Sequence, residues 1–381
     1  MRIAIVVPGG VDRSGEARVI PAIVALLGRL AADNDVHVFA THQDAAPGTW
    51  ILEGAHVHNV GVPRTAWRAV QAVRREHRAR PFEIIHAFWA GRHGAIAVGV
   101  GKLLGVPSVV HVAGGELAAL DDIGYGGCRT LLGRALQRAV LRAATAVTCA
   151  SQPIAAQIAA RGVTAERLPL GVDLSHWPVR APVRRHADEP IRLLHVASLN
   201  AVKDQATLLH ALRRLADAGR EFEVDVVGED TLGGRVQALA KELGLASHIR
   251  FHGFLPQRVL RPIVERAHVA VISSRHEAGP VVMLEAALAG VPTVGTAVGH
   301  LAEWSPHAAL AVPCRDPAAL AHAIATLLDD EERRLSVASA ASRIAEREDA
   351  VHSARAFNDL YRRLAATSMS SRSGAREERS A

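Results

Sequence analysis

Cysteine and aromatic residues are both scarce in this chain, and each scarcity removes a class of protein. The three cysteines, Cys128, Cys149 and Cys314, are odd in number and far apart. That spacing speaks against a disulfide framework and against a thiolate zinc site, and it suits a reducing cytoplasm. Only 4% of the residues are aromatic, and nowhere do they interleave with basic residues as on a single-strand-binding surface, so nucleic acid is not expected as a partner. Long apolar runs are missing too. Met1 to Pro8 is a short apolar stretch broken by Pro8, too short for a signal peptide or a spanning helix, and no later run reaches roughly 18 uncharged apolar residues.

What is present is a chain of 381 residues, 49% of them hydrophobic, enough to fill the cores of two domains. A formal charge of +6 with a pI near 9.9 favours anionic partners: a nucleotide, a nucleic acid or an acidic lipid. Charge alone does not choose among them.

Strand-like runs alternate with helix-like segments from end to end. They fall at Ile3 to Pro8, Val36 to Ala40, Ile84 to Ala87, Ser108 to Val112 and Ala146 to Ala150, then at Leu193 to Ala197, Val224 to Val227, Val269 to Ser273 and Thr293 to Gly295. This alternation predicts an α/β protein with doubly wound parallel sheets. Between the two sets, Trp177 to Pro190 carries three prolines and mixed charge without apolar periodicity and reads as a linker. The expected division is a first Rossmann-like lobe over 1–178, a linker over 179–190, a second lobe over 191–348, a final helix over 349–366 that packs back on the first lobe, and a disordered tail over 367–381. Ligands of open α/β sheets bind beyond the carboxyl ends of the strands, so the cleft between the lobes is the expected site.

The most informative stretch runs from Glu277 to Val294 and reads as strand, loop, helix, loop and strand. Gly279 looks like a helix cap with Pro280 at the first helical position, and Gly290 ends the helix. The amides of Val281, Val282 and Met283 are then orphan donors at a helix N-terminus, where the macrodipole favours an anion such as a diphosphate. Glu277 sits on the loop beside that anion. Glu285 lies five residues past Pro280, roughly 7.5 Å further along the axis, so the two carboxylates form no tight dyad. Each can accept two hydroxyl hydrogen bonds from a sugar or a ribose.

Two glutamates with seven residues between them in this setting resemble the signature of the retaining glycosyltransferases of family 4, which have the two-lobed GT-B fold. Other segments are similar to that family in order and spacing over residues 2–366. The loop Gly9 to Glu16 resembles its N-terminal glycine loop, with Gly15 in the best-matching place. Ala197 to Gln205 resembles the loop that carries an arginine and a lysine, with Lys203 at the lysine; Ser198 stands where the arginine usually is, and Arg275 is a candidate substitute. Gly253 and Phe254 match a loop near the base, and Gly299 a loop near the phosphate or sugar. Pro107 to Glu116 matches the segment in which many members have His-Gly, but Ala113 precedes Gly114 here, and His111, two residues back, is the imidazole expected to reach the cleft.

The resemblance implies transfer of a hexose-type sugar from a nucleotide-diphosphate donor to an acceptor hydroxyl with retention. Lys203, Glu277 and His111 are the catalytic candidates and Glu285 the ribose ligand, with no metal and no tightly bound cofactor. The acceptor implied is a saccharide or lipid-linked glycan. Arg129, Arg134, Arg138 and Arg142, at spacings of five, four and four, and Arg68 to Arg80 form basic segments that either dock on an anionic membrane, making the protein peripheral on its inner face, or are solvated. A catalytically inactive sugar-nucleotide-binding protein, a sugar-nucleotide epimerase and a scaffold are the alternatives.

Overall fold

The structure, a computed structural model, describes the backbone of residues 1–186 and 189–380 and the side chains of residues 1–186 and 189–368. It divides into two units: Met1–Gly171 with the helix from Ala350 onward, and Val172–Asp349. No described helix is long and apolar enough to cross a membrane.

The first unit is built on β1 (Arg2–Val7), β2 (Asp35–Ala40), β3 (Gly48–Leu52), β4 (Ala55–Asn59), β5 (Ile84–Phe88), β6 (Ser108–Val112), β7 (Ala146–Cys149) and β8 (Glu166–Arg167). Their order across the sheet is β3-β4-β2-β1-β5-β6-β7-β8, and every pairing is parallel except the β3–β4 hairpin. Helices cover both faces, which is why β1 is buried along its whole length and reads as an apolar run. The hairpin strands alternate instead between buried and open positions, and their histidines, glycine and short length hide them from an apolar-run reading.

The second unit is built on β9 (Ile191–Val196), β10 (Phe222–Val227), β11 (Ile249–Gly253), β12 (Val269–Ile272), β13 (Thr293–Thr296) and β14 (Leu310–Val312). They are ordered β11-β10-β9-β12-β13-β14 and all parallel. One core cluster on each face is centred on the branched and leucine side chains of these strands. Two α/β units with parallel sheets are thus present as expected.

Their boundaries differ from the expected ones. The division falls at Gly171/Val172, because Val172 and Trp177 are buried in a core cluster of the second unit. The segment read as a linker is stitched to that unit: the Arg180 amide donates to the Leu288 carbonyl at 2.8 Å, the Arg185 amide to Glu331 Oε1 at 2.7 Å, and Arg334 Nη2 to the Val183 carbonyl at 2.6 Å. The expected linker also includes Ala187 and Asp188, which lie outside the described residues. The last helix, Ala350–Ser380, runs through 367–380 of the stretch expected to be a disordered tail, which has no proline to stop it; Ala381 lies outside the described residues.

That helix belongs to the first unit by its packing. Phe357, Leu360 and Tyr361 are buried in the same cluster as β1 and β5, and Tyr361 Oη lies 2.6 Å from Nδ1 of His86, a fully buried ring on β5. The other nitrogen of His86 is buried without a partner, so this bond is what compensates the ring for its burial. Tyr361→Phe is therefore expected to lower stability by about 1–3 kcal/mol, the cost of a buried polar atom left unsatisfied. Urea unfolding checks it; a midpoint unchanged from wild type refutes the role given to the bond.

Candidate functional site

In the second sheet the chain order reverses between β9 and β12, which lie side by side although β10 and β11 intervene in sequence. The loops leaving the carboxyl ends of these two strands part there, and such a switch point is where open α/β sheets leave room for a ligand. The loop after β9 carries Lys203, and the loop after β12 carries Glu277. Lys203 Nζ meets Glu277 Oε1 at 2.5 Å, and Ser274 Oγ donates to the same oxygen at 2.6 Å. Both charged side chains are only partly exposed, 25% and 14%, so solvent screens the pair less than it would on an open surface.

Several bonds hold the two loops to each other. Ser273 Oγ donates to the Lys203 carbonyl at 2.8 Å, and the Arg275 amide donates to the Val202 carbonyl at 2.8 Å. The Lys203 amide turns back on Asn200, and Asp204 caps the helix Gln205–Asp217 by accepting from Thr207. Beneath them, buried His195 on β9 has Nδ1 2.9 Å from the Val271 carbonyl of β12. A carbonyl only accepts, so Nδ1 carries the proton, and Nε2 is left to accept from Gln205 Nε2 at 3.2 Å. Burial holds the His195 pKa down to about 4, which keeps this link neutral. Gln205 Nε2 also reaches the carbonyl of Ser198 at 3.2 Å, while the Ser198 residue itself is exposed.

The helix that follows Glu277 is Val281–Leu288, one residue shorter at its start than expected. Pro280 is the cap residue, with extended backbone angles, and Gly279 precedes it. The Met283 amide is not an open donor, since it bonds the Pro280 carbonyl at 3.1 Å. The amides of Val281 and Val282 keep the N-terminal position given to them. Gly290, with φ +76, turns the chain out of the helix. Gly299 is held close by: a Cβ there would stand 3.1 Å from the carbonyl oxygens of Glu277 and Ala278 and from Pro280 Cδ. Its φ of +48 also disfavours a side chain.

Glu285 is 5% exposed on this helix, and Gln257 Nε2 donates to its Oε1 at 2.7 Å. Burial pushes its pKa up to about 7, against a smaller opposing pull from Gln257. Gly253 ends β11 with φ +68, and Phe254 beside it is 56% exposed. Glu277, Lys203, Arg275 and the start of helix Val281–Leu288 are therefore gathered by neighbouring loops of one unit. Gln257, His195 and Gln205 were missed by sequence reasoning. A glutamine opening a helix two residues after Leu255 carries no distinctive pattern, and a strand histidine looks like any other.

In the first unit, Gly15 has φ +68 in a loop that runs to Ile20. The helix begins at Pro21, not at Ala17 as expected, because Gly10 and Val11 bridge to Val19 and Pro21 takes the first helical position. His111 does not reach an open face. It is fully buried on β6, with Nδ1 2.9 Å from Thr148 Oγ1 and Phe88 and Phe357 packed around the ring. Burial alone takes its pKa down to about 3, so it is a neutral core group and not a proton carrier at the surface. The polar group that does organise this end of the sheet is Glu116, which sequence reasoning passed over. Its carboxylate accepts from the amides of Ala90, Ala113 and Gly114 at 3.2, 3.1 and 2.8 Å, joining the loops after β5 and β6.

One group with metal-ligand chemistry exists among the described residues although none was expected. His37, His58 and Glu76 place one ligand atom each within 4.8 Å of one another. His37 Nδ1 and His58 Nε2 already bond each other at 2.9 Å, and Arg2 Nη2 lies 3.0 Å from His37 Nε2. A guanidinium at that distance disfavours a second cation. Of the basic residues, Arg129 does not share the helical face assigned to it: the helix is Leu131–Ala143, and Arg129 Nη1 donates to the Gly124 carbonyl at 2.6 Å.

Comparison with known proteins bears on both units. A family model described as "Glycosyl transferases group 1" matches residues 181–343, and one described as "Glycosyl transferase 4-like domain" matches residues 14–171. A glycogen synthase of Mycobacterium tuberculosis is 34% identical over 162 residues, 42% of this chain and 39% of that protein. A GDP-mannose-dependent phosphatidylinositol dimannoside mannosyltransferase of the same species is 33% identical over 172 residues, 44% of each. The matched part thus spans less than half the length of these relatives. Among solved structures, a sucrose-phosphate synthase from Thermosynechococcus elongatus superposes with TM-score 0.80 at 20% identity, covering 96% of this chain and all of that one. Anabaena HepE in complex with UDP-glucose gives 0.71 at 17% identity, covering 97% and all of its chain. At these identities the likeness establishes the fold.

The Glu285 environment predicts a pH dependence. Its folded pKa of about 7 stands above the ordinary 4.5, so between those values the folded state binds more protons than the unfolded one and stability falls as pH rises. At about 1.4 kcal/mol per pH unit the loss approaches roughly 3 kcal/mol by pH 8. Glu285→Gln should remove this contribution, so that the variant gains on wild type between pH 5 and pH 8 in urea unfolding; parallel profiles for the two proteins refute it.

Proposed function

The chain belongs to the group 1 glycosyltransferases of family 4, with the GT-B fold, and on that premise we propose that it moves a hexose-type sugar from a nucleotide-diphosphate sugar to an acceptor hydroxyl with retention of configuration. The observation that carries this reading is the Lys203–Glu277 contact at 2.5 Å between the loops after β9 and β12. Glu277 of this pair lies four residues before the helix Val281–Leu288, whose first amides are those of Val281 and Val282. A donor diphosphate at those amides draws Lys203 from Glu277 to its own oxygens. Charge that grows on the leaving group is then met by a cation and by oriented amide dipoles in place before the reaction. Glu277, released, accepts from hydroxyls of the donor sugar, and Glu285 from the ribose.

The bond balance is simple. The acceptor oxygen bonds the anomeric carbon as the bond from that carbon to the diphosphate breaks, both on one face of the sugar. The acceptor's proton passes to the departing phosphate oxygen. Nothing in this step asks His111 for a proton. The solved HepE complex with UDP-glucose and the mannosyltransferase that uses GDP-mannose support a sugar nucleotide as donor. Gly253, Phe254, Gly279, Pro280, Met283 and Gly299 shape the donor loops, and Gly15 is the first unit's contribution. We place the acceptor, a saccharide or lipid-linked glycan, with the first unit, and the protein in the cytoplasm, peripheral to the membrane.

A second reading is favoured by one observation: Ser198 stands exposed where the family's arginine is expected. A protein that binds sugar nucleotide and transfers nothing fits that loss, whereas an active enzyme needs a replacement cation. Arg275, whose amide bonds the residue before Lys203, is that replacement in our reading.

Calorimetry with UDP, GDP and ADP separates the outcomes. One of the three should bind, and Glu285→Ala should weaken it at least tenfold. Lys203→Gln should cut hydrolysis or transfer of the corresponding sugar nucleotide by about 10²–10³, the usual cost of one oriented stabilising group. Binding without any turnover selects the inactive reading, and no binding by any of the three overturns the donor site itself.

A further inference from the structure

The structure assigns a second anion site, in the first unit, that none of the donor chemistry uses: we propose that Arg134, Arg138, Arg142 and Arg161 form a pocket for a phosphate group carried by a lipid. The helix Leu131–Ala143 presents Arg134, Arg138 and Arg142 four residues apart, so their side chains rise on one face, one above the next. That face is not flat. The loop around Cys128 and the end of the helix Gln152–Ala159 wall it in, and a concavity of about 620 Å³ is left, with Arg161 on its far side.

Two of the four guanidiniums are aimed by the backbone. Arg134 Nε donates to the Cys128 carbonyl at 2.8 Å. Arg161 donates to the carbonyls of Gln157 and Leu117 at 2.6 and 3.1 Å. Both keep further N–H groups for a ligand. No carboxylate lines the concavity, and none of the thirteen residues of the helix is acidic. Among the described residues neither Arg138 nor Arg142 has an acidic partner. Elsewhere in this protein arginines are commonly paired, as Arg220 is with Asp329 and Arg266 with Asp225. Like charges stacked at this spacing repel, and a phosphate oxyanion, with its match to the guanidinium fork, removes the repulsion.

The rest of the same helix says what carries the phosphate. Leu131, three residues before Arg134, and Leu132 are 80% and 81% exposed. The other flank of the helix borders an apolar groove lined by Val70, Ile96, Leu103 and Leu136. Cations in a pocket beside bare leucines and an apolar groove match a headgroup with attached hydrocarbon better than a free ion.

The test uses the full chain and three probes: glycerol phosphate, vesicles of phosphatidylcholine with phosphatidylglycerol, and vesicles of phosphatidylcholine alone. Co-sedimentation at low salt should retain the protein only on the anionic vesicles. Arg138→Gln with Arg142→Gln should lose at least tenfold in vesicle affinity, and Arg214→Gln with Arg333→Gln, an equal loss of charge on the second unit, should lose far less. Leu131→Ser with Leu132→Ser should weaken vesicle binding and leave glycerol phosphate binding, read by calorimetry, unchanged. Binding of glycerol phosphate without vesicles overturns the lipid and keeps the phosphate pocket. No binding of any probe, or equal losses in the two arginine pairs, overturns the pocket. The donor reading is untouched by either result, because nucleotide binding is measured separately and on the other unit.

Discussion

The second unit's site depends on the meeting of two loops at the point where the sheet reverses its order. β9 and β12 are adjacent and parallel, so the chain leaves both at the same edge and must be prevented from splaying apart. The Lys203–Glu277 pair, the Ser273 and Arg275 bonds to the lysine loop, and the neutral His195 link beneath do this together. The buried links are neutral and the charged one is partly open to solvent. That division suits the exchange of partners proposed for the charged pair, since a fully buried pair would resist being broken.

Glu285 shows the opposite compromise. A carboxyl group at 5% exposure with a single donor, Gln257, is poorly compensated for its burial, and its raised pKa registers that deficit. A residue kept only for stability would be apolar here, like its neighbours Leu284 and Ala286. Stability given up at a position that offers two acceptor oxygens is the pattern expected of a binding site. Gly299 serves the same region by absence: its missing side chain lets the Glu277 loop and Pro280 pack against the next helix start.

The first unit uses a buried carboxylate differently. Glu116 is saturated by three backbone amides, so it acts as a brace between the loops after β5 and β6. The histidines of this sheet, His86 and His111, are likewise committed to the interior. Open polar chemistry in this unit lies instead on helix Leu131–Ala143, where arginines gather without acids to balance them. Its charge thus faces a concavity on the side of the sheet, while the second unit keeps its charges at strand ends.

The alternation of apolar strand runs with helices, the restart near Ile191, the helix between Pro280 and Gly290 and the choice of Lys203, Glu277 and Glu285 as candidates were legible in the sequence, because each depends on local periodicity or on short, ordered spacing; the Lys203–Glu277 contact was not. The strands β3, β4, β8, β11 and β14 were not among the apolar runs, being short or open on one side. Nor was the boundary at Gly171 legible, since prolines mark a stretch that in fact bonds to the second unit through Arg180, Arg185 and Val183. Whether a histidine is core or site is decided by what packs on it. His111 alternates along its strand toward Phe88 and Phe357, and Phe357 arrives from nearly 250 residues away. The same holds for Glu285, whose charge depends on burial beside Gln257, and for Arg161, which follows the helix Gln152–Ala159 and joins three arginines of the helix Leu131–Ala143 only once the two are packed. Sequence alone determined the class of fold and the candidate residues for donor chemistry; tertiary structure decided which of them meet, because distance and desolvation are properties of packing and not of order along the chain.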